Sequence, residues 1–362
     1  MATTTTDATD ALVERLFGAT IGALELCSIY LGVELGLYQA LDERGALTAP
    51  GLAEAAGIAP RYAHEWLEQQ AVAGFVEVDD AGAAPEARRY ALPEEHARAL
   101  ARPEDAAHVA PFAHMLAGIG GVLPRVAEAY RTGGGVPYAG YGVEFRHGQG
   151  HINRPAFTHE LPTDWLAAMP DVVARLEGGA RPRIADVGCG QGWSTVAVAR
   201  AFPNADVDGL DLDPASIADA RRHAAEAGVQ DTVRFVEGDA GALAAAGPYD
   251  LVLILEALHD LSRPVEALRA ARAALADGGT VLVVDEKVAE RFTAPGDEVE
   301  RMMYGWSVTH CLPTQMTEEP SAALGTALRA NTVRELATEA GYKHVDVLPV
   351  ENDFFRLYRL HP

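Results

Sequence analysis

Residues 183–193 read RIADVGCGQGW. A short apolar run (Ile184, Ala185, Val187) enters three glycines, Gly188, Gly190 and Gly192. The VAVARAF that follows Ser194 and Thr195 has helical apolar spacing. Strand, glycine turn and helix form the opening unit of a doubly wound α/β sheet. Glycine lets the backbone turn sharply and approach a ligand with no Cβ in the way. Alone, this glycine spacing also fits a dinucleotide-binding dehydrogenase or a structural turn. Two acidic features narrow it. Asp186 lies inside the motif, and Asp211 and Asp213 close the next strand in DVDGLDLDP, Asp211 standing 25 positions after Asp186. An acid at that strand end binds the hydroxyls of a ribose.

Three more stretches follow in order: VRFVEGDAGAL (233–243), YDLVLILEALHDL (249–261) and LRAARAALADGGTVLVVDE (268–286). With the glycine loop, they make residues 183–287 resemble a class I S-adenosylmethionine (SAM)-dependent methyltransferase. The resemblance implies a Rossmann-like, seven-stranded α/β sheet that binds SAM and releases S-adenosyl-L-homocysteine. The cofactor residues it implies are Asp186, Gly188, Cys189, Gly190 and Gly192 in the loop, Asp211 and Leu212 at the ribose, and Asp239 and Ala240 at the adenine. Glu256, nearer the fourth strand, is expected at the methionyl part. Dehydrogenases usually keep GxGxxG and have no Asp two residues before the first glycine.

Strand ends face the ligand crevice in such sheets, which places His259 and Asp260 for chemistry. In the small-molecule O-methyltransferases resembled here, a His-Asp pair supplies the base, commonly as HDWSD. This chain has HDLSR, with Leu261 and Arg263 as departures. A neutral imidazole near its ordinary pKa of about 6.5 takes a proton at neutral pH. His310 is the second candidate base. Capping of the following helix remains the other reading of His259.

Residues 11–41 carry apolar residues on nearly every face of a helix, which calls for cover from more than one side. Leu47–Asp79 reads as two short helices, with Thr48 as N-cap, Gly57 as turn and Pro60 opening the second. Val76 and Val78, then RYAL, read as a two-stranded wing. The first hundred residues hold sixteen acids against six arginines and no lysine. Such a module does not attract phosphate backbones. Related O-methyltransferases carry an N-terminal winged-helix domain that dimerises, so the resemblance implies a homodimer.

The chain divides by pattern into a disordered tail (1–10), a mostly helical winged-helix dimerisation domain (11–110), linker helices with a cap loop (111–180) and the SAM-binding domain (181–362). An insertion at about 288–330 is expected to cap the acceptor. The glycine-rich TGGGVPYAGYGVEFRHGQGHINRP (132–155) reads as a loop. Asn153 and Phe157 fall where the family covers its cofactor, with packing between domains as an equal reading. Tyr304, Trp306 and Cys311 in the cap suit a small organic acceptor, with a core helix as an equal reading.

Formal net charge is −23 over 362 residues, which disfavours nucleic acid and anionic membrane as partners. No apolar run reads as membrane-spanning, and MATTTTDATD lacks signal-peptide features. Three dispersed cysteines fit a reducing cytoplasm, and no CxxC or HExxH spacing points to a metal. The reading is therefore SAM-dependent methylation of a small aromatic or polyketide-like acceptor. Oxygen is the expected atom, with nitrogen or carbon, a non-methylating SAM enzyme and a SAM-binding winged-helix transcriptional regulator as alternatives.

Overall fold

A computed structural model describes residues 4–178 and 181–362. Its contacts divide the chain into two compact units, Met1–Gly118 with His147–Pro155, and Ile119–Arg146 with Ala156–Pro362. The linker expected at 111–180 is thus no separate body. Two long helices, α6 (Pro111–Thr132) and α7 (Gly142–His159), each contribute residues to both units.

The N-terminal unit begins with α1 (Thr4–Glu34) and α2 (Leu37–Arg44), followed by α3 (Ala49–Ala56) and α4 (Pro60–Val72). The expected disordered tail is helical from Thr4, and residues 1–3 lie outside the described residues. Thr48 caps α3 by accepting from the Gly51 N–H at 3.2 Å, and Pro60 opens α4. The wing is β1 (Glu77–Val78) paired antiparallel with β2 (Tyr90–Ala91), and α5 (Glu94–Leu100) follows. Tyr38, Leu52, Leu67 and Tyr90 centre this unit's core. This is the winged-helix arrangement the pattern predicts.

α1 departs from the rest. Leu12, Val13, Leu16, Phe17, Ile21, Leu24 and Leu31 are all exposed. The segment Ala8–Glu34 is long and apolar enough to cross a membrane by length and composition, contrary to the sequence expectation. Its acids break up continuous apolar runs but are too few to lower the average.

The C-terminal unit is built on a seven-stranded sheet. Its strands are β3 (Arg183–Val187), β4 (Asp206–Asp211), β5 (Val233–Glu237), β6 (Tyr249–Leu255), β7 (Leu275–Glu286), β8 (His344–Val347) and β9 (Phe355–His361). They lie in the order β5-β4-β3-β6-β7-β9-β8. All pairings are parallel except those of β9, which runs antiparallel to β7 and β8. The helices here are α8 (Pro170–Gly178), α9 (Trp193–Ala201), α10 (Pro214–Glu226), α11 (Leu243–Ala246), α12 (Pro264–Ala273), α13 (Glu298–Trp306), α14 (Leu312–Gln315) and α15 (Ala330–Glu339).

Side chains alternate across a strand, and β6 shows why it is apolar throughout. Val252 and Ile254 enter one core with Leu268 and Val333, from α12 and α15. Leu251, Leu253 and Leu255 enter the other with Trp165 and Val198. A strand covered on both faces reads as a continuous apolar run.

The stretch 132–155 differs from its reading as a loop. Residues Tyr138–Tyr141 form a 3-10 turn, and α7 begins at Gly142. The packing of Tyr141 and Phe145, both buried, outweighs the poor helix propensity of its glycines. Phe157 also departs from its expected place against a ligand. It is buried in the core, edge-on to Trp165 with ring centres 6.2 Å apart.

Candidate active site

The sheet order lays the carboxyl ends of β5, β4, β3 and β6 side by side, and the chain direction reverses its winding between β3 and β6. Ligands bind at such a switch point. The glycine loop leaves β3 here. Gly188 has φ +73°, and a Cβ on it would stand 2.6 Å from the Ala257 Cβ. Gly192 has φ +77°, and its Cβ would meet that of Ala220 at 2.8 Å. Both positions therefore require glycine. The N–H groups of Gly188 and Cys189 donate to the Leu210 carbonyl at 2.8 and 3.0 Å, tying the loop to β4.

Asp186 is buried beneath the loop. The hydroxyls of Ser194 and Thr195 both donate to its Oδ2 at 2.6 Å, while Oδ1 has no hydrogen-bond partner. Burial pushes this carboxyl up to about 6. Asp211 ends β4 and accepts from the N–H groups of Gly190 and Asp213, each at 2.8 Å. Burial raises its pKa also. Leu212 beside it is exposed, Asp239 caps a turn through the Gly241 N–H at 2.8 Å, and Ala240 is buried. These residues follow consecutive strand ends, so one crevice brings them together. A glycine-lined turn with an unsatisfied acid below it and a second acid at its rim fits the polar, ribose-bearing cofactor implied by the sequence.

Glu256 follows β6 in a left-handed conformation, φ +53°. Its Oε1 has no hydrogen-bond partner. Burial, reinforced by the charges of Glu286 and Asp285, raises its pKa. Burial likewise pushes Glu286 up to about 7.

His259 stands in the 3-10 turn Leu258–Asp260 and is buried. Its Nδ1 lies 2.9 Å from Asp285 Oδ1, and its backbone N–H donates to Asp285 Oδ2 at 3.2 Å. Asp285, fully buried near the end of β7, is thus the residue that orients the ring. From sequence, Asp260 stood as either an orienting group or a helix cap; its Oδ1 lies 3.5 Å from Nε2. The signal was present as an acid closing the apolar run VLVV. Gln315, also unforeseen, donates to the His259 carbonyl at 2.7 Å. Burial works against a charged imidazole here, but the charges of Asp285 and Asp260 prevail and hold the His259 pKa well above its usual value. The ordinary value expected from sequence does not apply.

His310 lies in a turn that continues α13. It stacks on Phe145 at 4.0 Å between ring centres, with Tyr141 edge-on at 4.6 Å and Tyr138 at 5.8 Å. Burial pushes its pKa down to about 4, and its Nε2 has no hydrogen-bond partner. A group so weakly basic is poorly matched to proton abstraction near neutrality. Cys311 Sγ lies 3.8 Å from His259 Nε2 and 3.5 Å from His310 Nδ1. The structure therefore gathers His259, Asp260, His310 and Cys311. Tyr304 is exposed on α13, its hydroxyl accepting from Arg329 at 3.2 Å. Trp306 ends that helix half-buried, and Asn153 is half-buried in the other unit.

Residues 184–279 match the profile of a family described as "Methyltransferase domain". This segment is a methyltransferase domain. It spans the glycine loop, the ribose-type acid and His259, and the observed sheet is the Rossmann-like methyltransferase sheet. Residues 22–102 match an "Rv2258c-like winged HTH domain", in agreement with the observed helices and wing. The chain is similar to a ubiquinone biosynthesis O-methyltransferase of Bordetella avium, 40% identical over 121 residues, 33% of this chain and 47% of that protein. It is also similar to a trans-aconitate 2-methyltransferase of Streptomyces avermitilis, 32% identical over 133 residues, 36% of this chain and 48% of that one. The chain thus spans about half the length of these relatives. Human N-acetylserotonin methyltransferase, solved with SAM, aligns over 100% of this chain and 99% of its own, with a TM-score of 0.69 at 17% identity. A mitomycin 7-O-methyltransferase aligns over 98% and 99%, with a TM-score of 0.64 at 23% identity. At such identities the likeness establishes the fold.

Proposed function

We propose that this chain is a SAM-dependent methyltransferase for a small aromatic or polyketide-like acceptor, methylating oxygen with His259 as general base. The observation that carries the choice of oxygen is the His259–Asp285 pair. Asp285 accepting from Nδ1–H directs the lone pair of a neutral ring to Nε2. A hydroxyl acceptor benefits from such a base, whereas a nitrogen or carbon nucleophile can rely on proximity.

Bound SAM supplies an electrophilic methyl group for in-line displacement. The glycine loop and Asp211 hold it at the rim, and Asp186 supports the loop from below. Ala257, in contact range of the loop at Gly188, links the cofactor end to the turn carrying His259. His259 Nε2 takes the hydroxyl proton as the new bond forms. Asp285 stabilises the resulting imidazolium and keeps the ring from rotating. Tyr138, Tyr141, Phe145 and His310 supply a largely apolar aromatic wall suited to a flat acceptor.

A second copy of this chain is the expected partner of α1, whose exposed apolar face supports the dimer reading over DNA binding by this acidic unit.

Calorimetry with SAM and with NAD tests the cofactor, and labelled SAM with a panel of phenolic acceptors tests the reaction. The expected result is binding of SAM alone and labelling that falls by about 10²–10⁴ in His259→Ala, with SAM affinity retained. Binding of NAD alone, or undiminished turnover in the variant, would overturn the corresponding half of the reading.

A further inference from the structure

Among the described residues, His259, Asp260 and Cys311 each offer one ligand atom, and the three atoms lie within 4.8 Å of one another. We propose that His259 Nε2, Asp260 Oδ1 and Cys311 Sγ form a binding site for a thiophilic divalent cation of the zinc class.

The two separations measured from Nε2 approach those a metal needs. Bonds of about 2.0 Å to nitrogen and oxygen and about 2.3 Å to sulfur, in a tetrahedron, set N···O near 3.3 Å and N···S near 3.5 Å. The observed distances are 3.5 Å for Nε2 to Oδ1 and 3.8 Å for Nε2 to Sγ. The third separation, Oδ1 to Sγ, lies within 4.8 Å, so seating the ion takes a few tenths of an ångström about Nε2 and up to about 1.3 Å between the other two donors. Three protein ligands leave a fourth position open.

Two further observations point the same way. Asp285 occupies Nδ1 of the same ring at 2.9 Å, leaving Nε2 for the ion. A carboxylate behind the far nitrogen is the usual support of a metal-ligating histidine, fixing its tautomer and raising its basicity. Among the described residues Asp260 Oδ1 has no hydrogen-bond partner, and its charged neighbour is His259 Nε2 at 3.5 Å. Asp285, paired to the same ring, adds a further acid beside the site. Imidazole with thiolate selects a borderline-soft ion over magnesium or calcium. Cys311 binds as thiolate, and its proton passes to solvent.

An ion on Nε2 takes the lone pair that the acceptor proton requires. Occupancy therefore blocks O-methylation, a consequence that rests on the base reading, whereas the binding itself does not.

Cobalt(II) is the probe, added to the full-length protein after chelator treatment and removal of chelator. The expected result is one equivalent bound, with thiolate-to-cobalt charge-transfer absorption and strong tetrahedral visible bands, both displaced by zinc. Cys311→Ser should lose the charge-transfer band. Asp260→Asn, altered at a part-exposed turn, should bind at least about tenfold more weakly, and it carries the test should the cysteine variant not fold. No charge-transfer band in the parent, its survival in Cys311→Ser, or full affinity in Asp260→Asn would overturn the site. The spectrum is read without SAM or acceptor, so it stands apart from the outcome of the methyl-transfer assay.

Discussion

His259 is useful only through Asp285. The pair spans two strand ends, and the buried carboxylate both orients the ring and favours its charged form. A base must be neutral to accept a proton. A pKa held above the imidazole norm therefore means that turnover rises with pH to a midpoint above about 6.5. Removing the negative charge of Asp285 should lower that midpoint and free the ring to rotate. For Asp285→Asn in the presence of chelator, the expected outcome is kcat reduced by about 10²–10⁴, SAM affinity retained, and the pH–rate midpoint moved downward. Stopped assays across pH with parallel calorimetry check all three. An unchanged pH profile would count against Asp285 as the orienting group.

At the scale of elements, α1 is the exception to amphipathic design. A surface helix buries one apolar stripe, yet α1 leaves seven large apolar residues exposed, among them Phe17 at 67% and Leu16 at 59%. Each such side chain gains about 1.5–3 kcal/mol on full burial. Several meeting across a twofold axis would be enough to hold a dimer. Light scattering is expected to give twice the 38.4 kDa chain mass. Leu16→Glu with Phe17→Glu should give the monomer mass while far-UV dichroism is retained, because neither residue supports the unit's own core. A monomeric parent protein would remove the basis for the dimer.

At the scale of the molecule, each unit has a core of its own, and their responses to acid differ from that of a protein stabilised by surface ion pairs. In the N-terminal unit, His108 is 5% exposed, and burial, aided by the nearby Arg154 charge, pushes it down to about 4. The unfolded chain takes up this proton near pH 6.5 and the folded chain does not. Stability is therefore complete above about pH 6.5 and declines as pH falls toward 4, by about 2 kcal/mol at pH 5. His310, also pushed down to about 4, acts in the same direction in the other unit. Urea midpoints at pH 7.5 and pH 5 should differ less in His108→Gln than in the parent. Equal differences would show that the His108 proton is not linked to folding.

Local chemistry in the chain was enough for the glycine loop, the order of strands and helices, the Thr48 cap and the wing. Backbone conformation and side-chain period act over a few neighbouring residues, and they leave a pattern in the sequence at that range. The acids at the ends of β3 and β4 were legible for the same reason. The partner of His259 was not. Asp260 is its neighbour in sequence, but parallel pairing of β6 with β7 brings up Asp285, 26 positions away. Cys311, 52 positions from His259, reaches the ring only through folding of the segment after β7. The stretch 132–155 misled because glycine content speaks for local propensity, while burial of Tyr141 and Phe145 is settled by distant contacts. Phe157 read equally as a ligand contact or as packing, and only the placement of Trp165 decided for the core. The sequence by itself determined the strand–turn–helix order through local periodicity, and the cofactor-loop chemistry through motifs that resemble a known family. The tertiary structure alone decided which acid serves the base and which donors converge, because those contacts join residues that chain distance keeps apart.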